Sequence, residues 1–197
     1  GLCITLVEPD GQRSFVTVSG AEGVRSFSEL EQYSYEENAW LVVYGYELVY
    51  PTSKDAFLEL FASGLIKSKI VFDPGPTTAE LTPEILDWVG THASLISCNQ
   101  SEYEKLAPHV SPECWLLLRK GAEGAELWHH GKVVASAAGR RVNVVDTNGA
   151  GDVHTGAFLA ALAQGNDLQA SLELACRAAE YSIQREGGCT GPTWKEL

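Results

Sequence analysis

The segment VVDTNGAGDVHTGAFLAALAQ, residues 144–164, joins an apolar pair to an alanine-rich helical pattern through a glycine-containing turn. Glycines let the backbone approach a bound group closely, and the first turn of a helix carries unpaired N–H groups that attract anions. Asp152 directly follows Gly149-Ala150-Gly151 at the predicted start of this helix. Its carboxylate could simply cap the helix, or it could accept a proton from a group held by those N–H groups. Spacing alone leaves both interpretations open.

The turn differs from two common phosphate-binding motifs. Gly131-Lys132 continues with Val133 and follows no glycine at the spacing of a Walker P-loop. The run 149–154 also departs from the GxGxxG pattern, because Asp152, Val153 and His154 follow the second glycine.

On both sides of this segment, apolar runs typical of strands alternate with patterns typical of helices. Strands are predicted at 40–46, 69–75, 93–99 and 114–119, followed by a hairpin of 125–130 and 132–137 around Gly131. Helices are predicted at 53–63, 82–90, 100–107, about 150–164 and 167–185. The alternation predicts an α/β fold of three α/β/α layers, with a mostly parallel, Rossmann-like sheet covered on both faces.

Ligands of such sheets bind beyond the carboxyl ends of the strands. Such strand ends include Asp73, Asn99, Arg119 and the 146–152 loop. Tyr44 is interpreted as a core or near-core side chain.

The N-terminal part has a different pattern. Residues 3–7 and 14–18 predict a β-hairpin around the turn Pro9-Asp10-Gly11, and the polar stretch 23–38 predicts a helix and a loop. We therefore expect two parts, residues 1–38 and one continuous unit over residues 39–197.

Composition narrows the classes of function. The 197 residues are 45% hydrophobic and carry a net charge of -12, without a basic stripe, so nucleic acid and anionic membranes are poor partners. No apolar run reaches the roughly 18 residues that a membrane span needs, and the N-terminus lacks the pattern of a signal peptide. The five cysteines are odd in number, widely spaced and without a CxxC pair, which favours reduced thiols in a cytoplasmic protein. Methionine is absent and residue 1 is glycine, so we expect a processed, trimmed or partial chain.

Residues 146–152, DTNGAGD, resemble the DTxGAGD signature of the ribokinase-like (PfkB) carbohydrate kinases. Further similarities follow in the family's order: the lid hairpin in DGQRSFVTVSGAE, the strand end VFDPG, the NxxE motif in CNQSE, and the strand with a glycine pair in LLLRKGAEGAELW. The resemblance spans nearly the whole chain. It implies a ribokinase-like fold with a remnant of the β lid.

The resemblance also implies roles for individual residues. Asp152 would be the base that deprotonates a sugar hydroxyl, and the N–H groups of Gly149, Ala150 and Gly151 would form the anion hole for the transferred phosphoryl group. Asn99 and Glu102 would hold hydrated Mg²⁺ near the phosphates of ATP; without the family, the pair is only a polar start to a helix. Further positions expected at the nucleotide are Arg119, Gly121, Gly124 and Thr147.

The role of Arg119 has an alternative, and the resemblance implies roles for two further segments. Arg119 stands where the family often has a threonine or lysine that touches a phosphate, and the alternative is a surface charge at a strand end. The segment 177–190 would line the adenine pocket. With the Asp146 loop, it would also bind a monovalent cation such as K⁺.

Three histidines need separate interpretation. His154 stands where the family commonly has phenylalanine, and it is interpreted as a helix-face residue packed by its neighbours rather than as a substrate contact. His129-His130 are interpreted as an exposed strand end, because no third metal ligand has suitable spacing in the sequence.

The chain departs most from the family at its beginning, where the GD-type start and the GGxxxN-type segment that hold the sugar are absent. Relative to the family the chain is N-terminally truncated, so we expect these residues alone to bind sugar poorly and to be inactive. The identity of the sugar or nucleoside stays open.

The favoured function is ATP-dependent transfer of a phosphoryl group to a hydroxyl of a sugar or related small molecule, with a homodimer through the lid as in some relatives. Two other classes stay open. One is a non-catalytic nucleotide-binding or regulatory module. The presence of Asp152 disfavours this class, because a protein that only binds a nucleotide needs no base. The other is a structural subunit without a ligand.

Overall fold

The computed structural model describes residues 1–7 and 13–197, which form two separate sheets. The smaller sheet pairs β1 (Leu2–Val7) with β2 (Arg13–Val18) in antiparallel fashion. The predicted pairing of these strands is confirmed, and the turn predicted at Pro9-Asp10-Gly11 lies outside the described residues. The division into residues 1–38 and 39–197 stays a prediction.

The larger sheet has six strands in chain order across the sheet. Its first four strands are parallel to one another, and the last two form an antiparallel extension. In chain order they are β3 (Trp40–Tyr44), β4 (Lys69–Asp73), β5 (Leu95–Asn99), β6 (Trp115–Arg119), β7 (Ala125–His129) and β8 (Lys132–Ala137). The mostly parallel sheet predicted from the alternating pattern is confirmed.

Six α-helices accompany the sheets in the described ranges. They are α1 (Phe27–Leu30), α2 (Pro51–Ala62), α3 (Pro83–His92), α4 (Gln100–Leu106), α5 (Ala150–Ala163) and α6 (Leu168–Ser182). α2 begins two residues before its predicted start, because a proline fits the first position of a helix, where its missing N–H costs nothing. None of the helices within residues 1–7 and 13–197 combines the length and apolarity needed to cross a membrane.

Helices cover both faces of the sheet. Alternate strand residues such as Phe72 and Ile96 pack on one face with side chains of α2, α3 and α4, for example Leu60. The intervening residues, such as Leu117, pack on the other face with α5 and α6, where Leu172 is fully buried. This double burial explains why the parallel strands are continuous apolar runs rather than alternating ones.

The parallel strands bring polar residues together at their carboxyl ends. β3 ends at Tyr44 beside Asp73 of β4, and β5 ends at Asn99 beside Arg119 of β6. Because parallel strands end at the same edge of a sheet, these four side chains and the start of α5 surround one region.

Candidate active site

The first turn of α5 is built on Gly149, the N-cap residue, whose φ is 71°. A Cβ at this position would lie 2.1 Å from the carbonyl oxygen of Gly188. Glycine alone accommodates both the left-handed backbone and this close approach. The segment after α6 therefore packs directly against the turn predicted to bind phosphate.

The three amides of this turn differ in their hydrogen bonding. Among the residues that the structure describes, the N–H groups of Gly149 and Gly151 have no acceptor, as expected for the start of a helix. The Ala150 N–H donates to the Thr147 carbonyl oxygen over 3.3 Å, a long hydrogen bond. Thr147 is itself exposed. The turn thus carries two N–H donors that have no acceptor among the described residues.

Asp152 lies in the first turn of α5, and its residue is exposed rather than turned into the core. Partial desolvation raises the pKa of its carboxyl above the ordinary value, and the negative charge of Asp73 raises it further. Arg119 and the Tyr44 hydroxyl act in the opposite direction and lower this pKa. Asp152 is thus an exposed residue that directly follows Gly151 in the chain, and the N–H group of Gly151 has no acceptor among the described residues.

Arg119 ends β6 and turns its guanidinium into the protein. The side chain is only 14% exposed; Nη1 donates to Asp73 Oδ2 over 2.6 Å, and Nη2 lies 3.5 Å from Glu102 Oε2. Burial opposes the charge, but the two carboxylates raise the pKa of the guanidinium above its ordinary value. The alternative of a surface charge is therefore wrong, and a contact with phosphate stays a prediction.

The same guanidinium fills the space between the sheet and the first turns of α5. Nη1 lies 3.1 Å from Ser97 Oγ, 3.2 Å from Thr155 Oγ1 and 3.3 Å from the Gly151 carbonyl oxygen. A Cβ at Gly151 would lie 3.0 Å from Nη1, so the glycine permits close packing of the helix on Arg119.

Sequence reasoning missed the roles of Asp73 and Tyr44 in this region. Asp73 is 4% exposed and is the main partner of Arg119. Tyr44 interacts with Asp152, and burial followed by the charges of Asp152 and Asp73 raises the pKa of its hydroxyl to about 12. In the sequence, each of these residues ends an apolar run that is typical of a parallel strand. Such strand ends lie together at the edge of the sheet where ligands bind, so this position could have indicated their role.

Asn99 and Glu102 form a reciprocal cap at the start of α4. Asn99 Oδ1 accepts from the Glu102 N–H over 2.9 Å and from Ser101 Oγ over 2.8 Å, while Glu102 Oε2 accepts from the Asn99 N–H over 2.7 Å. Burial raises the pKa of the Glu102 carboxyl, against the influence of the Asn99 N–H and of Arg119. The pair therefore has a structural role, and its predicted contact with hydrated Mg²⁺ stays a prediction.

Asp146 connects its own loop to the segment after α6. Its Oδ1 accepts from the Asn148 N–H over 2.8 Å, and its Oδ2 accepts from the Gly187 N–H over 3.1 Å. The two segments predicted to share a monovalent cation are thus adjacent. The cation itself stays a prediction.

The glycine pair after β6 has two different environments. Gly121 is exposed, with a φ of 59° and open space within 4 Å of the point where a Cβ would lie, whereas Gly124 is buried, with a φ of 98°. A Cβ at Gly124 would lie 2.0 Å from the Ala137 carbonyl oxygen, so this glycine is needed for packing against β8. Their predicted place at the nucleotide stays a prediction.

The structure decides between the interpretations of the histidines. His154 is 4% exposed and its Nε2 lies 3.6 Å from Cys176 Sγ, which confirms a packed helix-face residue. His129 is the last residue of β7 and His130 is exposed, which agrees with the predicted strand end. Glu113, distant in sequence, brings a carboxylate within 4.8 Å of the ring nitrogens.

Comparison with known proteins assigns the chain to a family. Residues 1–195 match the model of the pfkB family carbohydrate kinases. The uncharacterized sugar kinase YegV of Escherichia coli is 31% identical over 100% of this chain and 65% of its own length. A Saccharomyces cerevisiae adenosine kinase is 27% identical over 95% of this chain and 62% of its own length. The chain thus spans less than two thirds of the length of these relatives.

Solved structures show the same fold. The ribokinase of Cryptococcus neoformans, crystallised with ADP, superposes with a TM-score of 0.78 at 25% identity, over 98% of this chain and 68% of that protein. A Vibrio cholerae fructokinase, crystallised with fructose, ADP and calcium, gives 0.76 at 18% identity, over 96% and 69% of the two chains. The chain belongs to the PfkB family of carbohydrate kinases and has the ribokinase-like fold.

Proposed function

We propose that the protein transfers the γ-phosphoryl group of ATP to a hydroxyl of a sugar or nucleoside. The observation that carries the proposal is the exposed Asp152 carboxylate beside the unpaired N–H groups of Gly149 and Gly151. The relatives carry names of sugar, ribose and adenosine kinases, which supports a small substrate that bears hydroxyl groups.

Asp152 is the proposed general base. A carboxylate that faces solvent can receive the proton of the attacking hydroxyl, and such a base contributes roughly 10²–10⁴ in rate. Partial desolvation and Asp73 raise its pKa, which increases its affinity for the proton, while Arg119 acts in the opposite direction and limits that rise. The two buried neighbours thus adjust the strength of the base.

The start of α5 is the proposed anion hole. The N–H groups of Gly149 and Gly151 need no rearrangement to bind a phosphoryl oxygen, because no protein acceptor in the described residues occupies them. Fixed donors of this kind stabilise charge that develops in the transition state. The Ala150 N–H can join them by releasing its long bond to Thr147.

Mg²⁺ and ATP are the proposed cofactors. Glu102 fits a water-mediated contact with the metal, because its hydrogen bonds in the described structure all involve Oε2 and leave Oε1 available. Asn99 Oδ1 already accepts two hydrogen bonds. The proposed role of Asn99 is therefore to orient Glu102, and Glu102 makes the proposed contact with the hydrated metal. When bound, Mg²⁺ supplies positive charge that neutralises the phosphates. A monovalent cation at the Asp146 loop is the third proposed cofactor.

A substrate panel tests the proposal. The protein, purified at its full natural length, is incubated with Mg-ATP and a set of sugars and nucleosides, and both ADP and the phosphorylated product are measured. Formation of a phosphorylated product from at least one member supports the kinase function. Binding of Mg-ATP without a product from any member would contradict it and favour a non-catalytic nucleotide-binding module.

A further inference from the structure

Three potential metal ligands meet at the opposite end of the sheet from the candidate active site. His129 is the last residue of β7, His130 begins the turn to β8, and Glu113 precedes β6. One ligand atom from each lies within 4.8 Å of the other two. Because β6 runs from Trp115 to Arg119 at about 3.3 Å per residue, this cluster lies about 13 Å or more from the guanidinium end of the strand.

The hairpin turn places both imidazoles on the same side. His130 has a φ of 50°, the only positive φ of a residue other than glycine in the described ranges. Successive side chains of a regular strand point to opposite faces, and the left-handed residue breaks that alternation. The two rings consequently lie 4.0 Å apart between centroids.

Contacts with the neighbouring loop hold the cluster in place. The His130 N–H donates to the Pro112 carbonyl oxygen over 3.2 Å, next to Glu113 in the chain. Glu113 Oε1 lies 3.6 Å from His130 Nδ1, and the His129 ring stacks on Trp115 at 4.0 Å and 5°. The carboxylate and one imidazole are therefore already neighbours, and the second imidazole is fixed by an aromatic partner.

We propose that Glu113, His129 and His130 form a binding site for one Zn²⁺ ion. Two imidazoles and a carboxylate are a ligand set that suits Zn²⁺, with a water molecule in the fourth position. The exposed carboxylate and the half-open His130 ring can adjust to the shorter separations of a bound ion at small cost. The net charge of -12 favours cation binding by the protein as a whole.

The site is separate from phosphoryl transfer. Zn²⁺ there would clamp the loop before β6 to the β7–β8 turn. Because binding only to the folded state stabilises it, the melting temperature is expected to rise with the concentration of zinc.

Zinc titration of ligand variants tests the proposal. The background is the Cys3→Ser, Cys189→Ser chain, because exposed thiols would bind zinc themselves. Glu113→Gln and His130→Asn are the test variants; asparagine tolerates the left-handed backbone. Glu123→Gln and His92→Gln are the matched controls, since both residues are exposed and lie outside the cluster. Calorimetry measures affinity and stoichiometry, and melting curves with and without zinc measure stabilisation.

We expect one ion per chain in the background protein and in both controls. Each test variant should lose about tenfold or more in zinc affinity and most of the zinc-dependent rise in melting temperature. Its melting temperature without zinc should stay near that of the background. Absence of zinc binding in the background protein, or equal affinity in the test variants and the controls, would overturn the proposal.

Discussion

At the scale of residues, the candidate active site contains a buried cluster of Arg119, Asp73 and Glu102, and none of these residues belongs to the DTxGAGD motif. Arg119 reaches from β6 across Ser97 of β5 to Asp73 at the end of β4. This cluster supports the first turn of α5 and adjusts the pKa of Asp152. The DTxGAGD motif predicts a phosphate site at the start of α5, which stays a prediction, and it could not predict the ion pair between Arg119 and Asp73, which are 46 residues apart in the chain.

Arg119→Met should strongly destabilise the protein. The substitution leaves the buried Asp73 and Glu102 carboxylates without their cation, and breaking a buried ion pair costs about 3–5 kcal/mol. Lys120→Met is the control, because the Lys120–Glu126 pair is more exposed and should contribute about 0–1 kcal/mol. Urea unfolding measures both variants. Equal, small losses of unfolding free energy would show that the cluster is not important for stability.

His154 should make stability depend on pH. Burial lowers the pKa of its imidazole from 6.5 to about 3, so the unfolded chain binds a proton that the folded chain does not between those pH values. The contribution of His154 therefore weakens as pH falls through this window, by up to about 1.4 kcal/mol per pH unit. His154→Phe should reduce the slope of unfolding free energy against pH relative to the wild type. An unchanged slope in His154→Phe would contradict the assignment of a neutral, buried imidazole.

At the scale of elements, the pattern of apolar runs predicted every strand and most helices, with ends that differ by a few residues. Parallel strands buried on both faces are the most recognisable case, because they are short continuous apolar runs between turns. The β7–β8 hairpin was also predicted, but not that the turn at His130 brings both histidines near Glu113. A left-handed residue that is not glycine leaves no signal in a hydrophobic pattern.

Alanine should be tolerated at Gly156 within α5 but not at Gly149, the N-cap residue of this helix. Gly149→Ala would place a Cβ 2.1 Å from the Gly188 carbonyl oxygen at a φ of 71°, and we expect a loss of about 1–3 kcal/mol together with weaker ATP binding. Gly156→Ala, in the same helix and with no atom within 4 Å of the added carbon, should stabilise the protein by up to about 1 kcal/mol. Thermal unfolding and ATP titration compare the two variants. If both behave alike, the close approach of residues 149 and 188 is not maintained in solution.

At the scale of the whole molecule, the β1–β2 hairpin forms a sheet of its own and has exposed apolar side chains. Leu2, Ile4, Leu6, Val16 and Val18 share one face of the hairpin, whereas Phe15, which pairs with Thr5, lies on the other face. An exposed apolar patch of this kind marks a contact surface. The expected lid dimer came from the family resemblance, and it stays a prediction because a single chain shows no partner.

The hairpin should mediate self-association. Ile4→Lys with Val16→Lys changes two directly paired, exposed residues and should convert a dimer to a monomer because charges resist burial in an apolar contact. Leu65→Lys, at an exposed apolar residue of a loop outside the hairpin, is the control. Sedimentation velocity over a range of concentrations measures the outcome. A wild-type protein that stays monomeric at every concentration would exclude the lid dimer.

The most direct test of the account is the single-turnover rate of phosphoryl transfer by Asp152→Asn, measured with a substrate identified from the panel. The variant keeps the shape of the side chain but removes its ability to accept a proton, so transfer should slow by roughly 10²–10⁴ while Mg-ATP affinity stays near that of the wild type. Asp55→Asn, at an exposed acid of α2, should match the wild type in both measurements. A wild-type rate in Asp152→Asn would contradict the assignment of Asp152 as the base.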